Sequence, residues 1–310
     1  MPIISTDNWV YLIIGRVITG IGSSATILGI FKIIRMYFKE QFTRMLGFSI
    51  TIGFIGAIYG GGPINYLCTT LGYKIVIQIF IVTGLLLAGI IYFITPSSNL
   101  TNSNSITMEF KKICTNYKVI MISISAGLMV GPLEGFADVW GSQFLKQVYG
   151  FDSSLASYIP SMIFIGLCFG SPLLSIIAEK TGNYIGSIIV AGFIMLIIFI
   201  MLLTGRLTIN SMIVSFIILG ICCAYQVLAI CKIATYVPDN AIGLSTAVIN
   251  MVVISFGYVF HSSIGIIIDL CNSINKTQPF IYGISIIPIA LSMGIIGFLI
   301  LAYKEKVQLT

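Results

Sequence analysis

The sequence predicts an all-α polytopic membrane protein, and three observations carry that prediction. Apolar residues make up 57% of the 310 residues and charged residues only 8%, against the roughly 25% charge of a water-soluble chain. The apolar residues fall into blocks of about 20, the length a helix needs to cross the hydrocarbon layer. Within the blocks there is no alternation. Gly186 to Leu203 reads GSIIVAGFIMLIIFIMLL, whereas a barrel strand alternates polar and apolar positions over about ten residues. A soluble domain of this composition has too few polar groups to cover its surface.

About nine transmembrane helices follow, near residues 9–31, 45–68, 73–94, 119–141, 157–178, 184–204, 209–231, 241–268 and 280–303. The first, around YLIIGRVITGIGSS, is not a cleaved signal peptide, because it lacks a basic leader and carries Arg16 within it. The second contains GAIYGGGP (56–63), whose proline after three glycines loosens a helix. The third follows Gly72. The connection 95–117, TPSSNLTNSNSITMEFKKICTNY, is polar and long for a hairpin, so it divides the chain. On one side lies a bundle of three spans (1–94), and on the other a bundle of six (118–310). The fourth span holds Glu134 and Asp138, and the fifth holds Gly166 and Gly170. The sixth is uninterrupted, and the seventh carries Tyr225 and Gln226. The eighth carries Asn250 and His261, and the ninth closes the chain.

The net charge of +6 is distributed as a topology signal and not as a nucleic-acid surface. With alternating spans, Lys32, Arg35, Lys39, Arg44, Lys111, Lys112, Lys118, Lys180, Lys232, Lys304 and Lys306 share one side, and Lys74, Lys146, Arg206 and Lys276 the other. Eleven against four places the 95–117 loop and the C-terminus in the cytoplasm and the N-terminus outside.

Several residues stand out against the apolar background. Arg16 lies about a third of the way into the first span, so it either faces the bundle interior or snorkels to the interface. Glu134 and Asp138, four apart, share a helix face. They read either as a substrate or proton site or as the lining of a wet outer vestibule. Tyr225, Gln226 and Asn250 are polar groups deep in spans that can line a cavity, and His261 reads as a hydrogen-bonded packing residue or a proton carrier. Gly127, Gly131 and Gly135 repeat at four-residue steps, as do Gly56–Gly60 and Gly166–Gly170, a spacing that lets helices approach closely.

The seven cysteines and one histidine show no metal spacing, and the cysteines read as small apolar filler. No nucleotide-binding or hydrolase motif is present, and no cofactor is expected. A membrane enzyme would need paired acids with a histidine or metal ligands at one depth, and a channel a repeated filter. The sequence suggests neither.

Taken together, these segments resemble the major facilitator superfamily of secondary transporters, whose twelve helices form two halves of six. Gly15-Arg16 with Gly20 and Gly22 resembles the motif of the family's fourth helix. IIRMYFKEQFTRMLGF resembles the loop that follows it. GAIYGGGP, with Gly56, Gly60, Gly62 and Pro63, resembles the glycine–proline motif of helix five. Gly72-Tyr73-Lys74 stands where the family commonly has Gly-Trp-Arg. WGSQFLKQVYG (140–150) resembles the end of helix seven in a bacterial subgroup, and Gly170-Ser171-Pro172 the middle of helix eight. After that helix the family's gating loop is matched in part. Glu179 stands at its aspartate position, while Lys180 and Gly182 match, but Ser175 replaces a glycine and Asn183 a basic residue.

The resemblance implies a multi-pass protein of the bacterial inner membrane. It would move a small solute, coupled to a proton or other gradient (a symport, for example), by alternating access. The nine spans resemble helices four to twelve, so the fold reads as N-terminally incomplete. A separate three-helix fragment is then an expected partner, and without it net transport is not expected. The alternative is a transporter remnant embedded in the bilayer without activity.

Overall fold

A computed structural model describes residues 9–94, 106–238, 241–271 and 277–309. Every regular element among them is helical. The order is α1 (Trp9–Tyr37), a short 3-10 turn (Lys39–Gln41), α2 (Phe42–Leu71), α3 (Tyr73–Ile94), α4 (Ile106–Thr115), α5 (Tyr117–Leu128), a π-helical segment (Gly131–Trp140), α6 (Gly141–Tyr149), α7 (Ser153–Thr181), α8 (Tyr184–Leu203), α9 (Ile209–Cys223), α10 (Tyr225–Ala234), α11 (Ile242–Cys271) and α12 (Gln278–Leu309).

Each span read from the sequence falls, to within one residue, inside one of these helical stretches. Among the described residues, seven stretches are both long and apolar enough to cross a membrane: 73–94, 117–149, 153–181, 184–203, 209–234, 242–271 and 278–307. Two of the seven are broken. Tyr117–Tyr149 runs through α5, the π segment and α6, and Ile209–Ala234 runs through α9 and α10.

The first break has a cause in the sequence. Pro132 has no N–H to give and its ring crowds the preceding turn. Met129 and Val130 tighten instead, their N–H groups bonding the carbonyls of Ala126 and Gly127 at 3.1 and 3.2 Å. The chain then resumes with a wider turn, so that the Gly141 N–H reaches back to the Phe136 carbonyl. The segment between α3 and α5 is not wholly a loop, as residues 106–115 form α4. The sequence reading of 95–117 as an irregular connection gives way there to a short helix, and 95–105 lie outside the described residues.

Helix ends are set by local side chains. Asp152 and Asn183 accept from the N–H groups of Leu155 and Gly186 at the starts of α7 and α8, which satisfies groups a helix start leaves unpaired. Gly182 ends α7 with φ of 65°, a left-handed value that only glycine adopts freely.

The core lies in the later bundle. Small residues bring its helices together, since apolar surface alone does not drive association in lipid. Gly127, Gly131 and Gly135 present one face to Phe256, Phe260 and Ile264 of α11. Gly166 and Gly170 lie against the backbone of Ile217 and Ile221 on α9, where Gly220 returns the fit. At the third expected glycine step, a side chain at Gly56 would meet no described atom within 4 Å. The side-chain surroundings of Gly60, Gly62 and Pro63 lie outside the described residues.

The two bundles join through α2 and α7. Gly47 of α2 lies against Ser171 and Ser175, and the Thr51 hydroxyl donates to the Cys168 carbonyl at 2.8 Å. Phe31, Ile34, Phe42, Leu46, Val227 and Cys231 pack as a second apolar cluster at this end. Phe48, Ile52, Ile55 and Tyr59, spaced along one face of α2, are exposed and form its outward side.

Candidate functional site

Beside the second apolar cluster, a cavity of about 470 Å³ lies among α1, α2, the π segment, α7, α9, α10 and α11. Its walls come from α1 (Thr26, Phe31), α2 (Ser49, Phe54), the π segment (Glu134), α7 (Ser171), the α9–α10 break (Cys223, Gln226) and α11 (Asn250, Ile254), among others. Both broken spans therefore reach the cavity at their breaks. Irregular backbone of this kind is tolerated in a membrane where it borders protein or a cavity.

Glu134, Gln226 and Asn250, all singled out in the sequence, line this cavity together. The Gln226 Nε2 is buried and has no hydrogen-bond partner among the described residues.

Tyr225 does not line it. The ring is fully buried and its hydroxyl donates to the Ala126 carbonyl at 2.7 Å. The expectation of a cavity-lining tyrosine is thus corrected: one residue along a helix turns the side chain by about 100°, so Gln226 faces the cavity and Tyr225 the core. The bond ties the α9–α10 break to the α5 break, because Ala126 also accepts from Met129 at the end of α5.

Asp138 is exposed and does not line the cavity either. It shares with His261 an electrostatic influence on Glu134. His261, distant in sequence, comes from α11 to the π segment. Its Nε2–H donates to the Glu134 carbonyl at 2.6 Å, and the Trp140 Nε1–H donates to the His261 carbonyl at 3.2 Å. The two bonds form a clasp. Gly257 and Gly265, one turn to either side of His261, seat Glu134 and Trp140. Among the described residues, no group of His, Cys, Asp and Glu is arranged to hold a metal.

At the joined end, Glu179 of α7 reaches the start of α2. One carboxylate oxygen accepts from the Arg44 backbone N–H at 2.8 Å, and the other lies 3.3 Å from Arg44 Nε. Arg44 had counted only as a topology charge. Its partner was legible solely through the gating-loop resemblance at Glu179. Lys180 is exposed beside it. Lys232 pairs with Glu305 at 3.1 Å, and the Tyr236 ring lies between Lys118 and Lys232. Arg16 lies on α1, with its side chain outside the described ones.

Fold and site define a multi-pass helical membrane protein whose bundles enclose a polar-tipped cavity. The chain belongs to the Major Facilitator Superfamily, whose family model matches residues 1–262. No curated protein matches it.

Proposed function

We propose that this protein is a secondary transporter that moves a small solute through the cavity by alternating access. Membership of the superfamily supports a transporter and not an enzyme. The observation that carries the reading is a cavity walled by both bundles, with a carboxylate on its surface. The Arg44–Glu179 pair and the apolar cluster around Phe31 and Leu46 close one end of the path. In the proposed cycle that end opens when the pair separates, while the other end closes. Glu134 takes up and releases the coupling proton. The basic bias supports a cytoplasmic location for the Arg44–Glu179 end, the 95–117 connection and the C-terminus, in a bacterial inner membrane.

The apolar faces of α1 and α3 are widely exposed, as at Ile13, Val17, Ile21, Leu85, Leu86 and Phe93. They support lipid contact or an added helical unit of the first half, such as a separate three-helix fragment. The test is uptake into proteoliposomes holding residues 1–310, with and without a co-expressed three-helix fragment. Amino acids, organic acids, sugar phosphates and organic cations are screened as substrates under an imposed proton gradient. Saturable, gradient-driven uptake is expected with the fragment. Its absence in every combination would favour a membrane-embedded remnant.

A further inference from the structure

The lining chemistry of the cavity narrows the solute, and the inference that follows rests on the cavity being the substrate site. Among the described lining residues there is one acidic side chain, Glu134, and no basic one. No described residue gives the Glu134 carboxylate a hydrogen bond or an ion pair, because His261 binds its carbonyl instead. The hydroxyls nearby have turned inward. Ser171 donates to Leu167 and Ser49 to Met45, each one turn back on its own helix. The Gln226 Nε2 is a buried donor without a partner among the described residues. The rest of the wall is the amide of Asn250, the hydroxyl of Thr26 and a large apolar surface that includes Ile30, Phe31, Ile50, Phe54, Val253 and Ile254.

Each solute class meets this surface differently. An anion would face a carboxylate with no basic side chain among the described lining residues, which is repulsive and poorly screened. A sugar would bring many hydroxyls to a lining with few free polar groups and leave most of them desolvated. A hard inorganic cation prefers several charged or carbonyl oxygen ligands, and the described lining offers a single carboxylate with no grouped acidic partner. A cation with an apolar body fits at every point. Its charge sits at Glu134, its body covers the aliphatic walls, and the rings of Phe31 and Phe54 add a cation–π surface.

We propose that the cavity binds amphipathic organic cations, with Glu134 as the counter-charge and Gln226 as a donor to an acceptor on the ligand. The probe is tetraphenylphosphonium, measured by equilibrium binding to the purified full chain in lipid nanodiscs without a gradient. Tetraphenylborate serves as the anion of the same shape. Saturable binding of the phosphonium is expected and none of the borate. Glu134→Gln weakens phosphonium binding by about tenfold or more, and Glu134→Asp retains most of it. Asp269→Asn, at the exposed far end of α11, leaves it within about twofold, as expected for a distant independent site.

Folding of each variant is checked by melting temperature. If Glu134→Gln does not fold, Gln226→Ala supplies the reading, with affinity for an acceptor-bearing amine lowered and phosphonium binding kept. Absent phosphonium binding to the wild type, equal binding by a folded Glu134→Gln variant, or saturable borate binding would each overturn the proposal. Binding without uptake would overturn the transport reading alone.

Discussion

Glu134 stands on the wide turn of a broken helix, and its place there decides what it can exchange. The carboxylate borders the cavity while its own carbonyl is held by His261, so the side chain can change partner without loosening the backbone. A proton and an organic cation then compete for one carboxylate, and cation affinity falls as pH is lowered through the titration of Glu134. Asp138 on the same segment, His261 on α11, and Cys223 and Tyr225 at the α9–α10 break are the other titratable groups that act on it or are acted on by it. Phosphonium binding measured against pH should show this loss in the wild type and a flat profile in Glu134→Gln. A profile unchanged in the variant would remove Glu134 from the titration.

In a complete, active transporter Glu134→Gln should also reduce proton-driven uptake and leave energy-independent exchange. Tyr225→Phe is the contrasting case. It removes a buried bond to a carbonyl that keeps a second donor, so it should cost about 1 kcal/mol in unfolding experiments and leave cation binding unchanged. A loss of binding would return Tyr225 to the cavity.

The positions of the elements were largely legible in the sequence, and their internal breaks were not. Apolar blocks of membrane length mark a helix whatever its fine geometry, so the candidate spans fall on helices. Whether a span holds a π segment depends on how Pro132 is absorbed and on the seat that α11 offers, and His261 lies 127 residues from the bond it makes. Glu134, Gln226 and Asn250 were found because a polar group deep in an apolar block is conspicuous. Tyr225 was conspicuous for the same reason and misplaced, because rotation about the helix beside a break cannot be read from spacing alone. Arg44 was missed because a basic residue at a helix end is ordinary.

The close glycine contacts make a direct prediction. Gly220→Ala would drive a methyl group into the Ile163 backbone of α7 and should destabilise the bundle by about 1–3 kcal/mol. Gly56→Ala, with open space around it, should have little effect. Thermal unfolding in detergent compares the two, and equal effects would contradict the packing. Removal of the His261 side chain should speed hydrogen exchange within 131–140 more than in α7, since it opens the clasp that holds that segment.

At the scale of the whole molecule, α2 and α7 are pinned together at the Arg44–Glu179 end. Orientation in the membrane follows from charge. A cysteine at position 105 should label from the cytoplasm and one at position 148 from outside, and labelling of position 105 in intact cells from outside would reverse the assignment. Alternating access asks more, namely that the two ends move in opposite senses.

The most direct test is a pair of spin-label distances in nanodiscs. One pair joins Lys39 to Lys180 at the Arg44–Glu179 end. The other joins Leu71 to Ser154 at the opposite end of the same two helices, all four positions being exposed. Breaking the ion pair with Glu179→Gln, with tetraphenylphosphonium present or absent, should lengthen the first distance and shorten the second within the same populations. Two distances that stay fixed, or that lengthen together, would contradict a transporter built on this cavity.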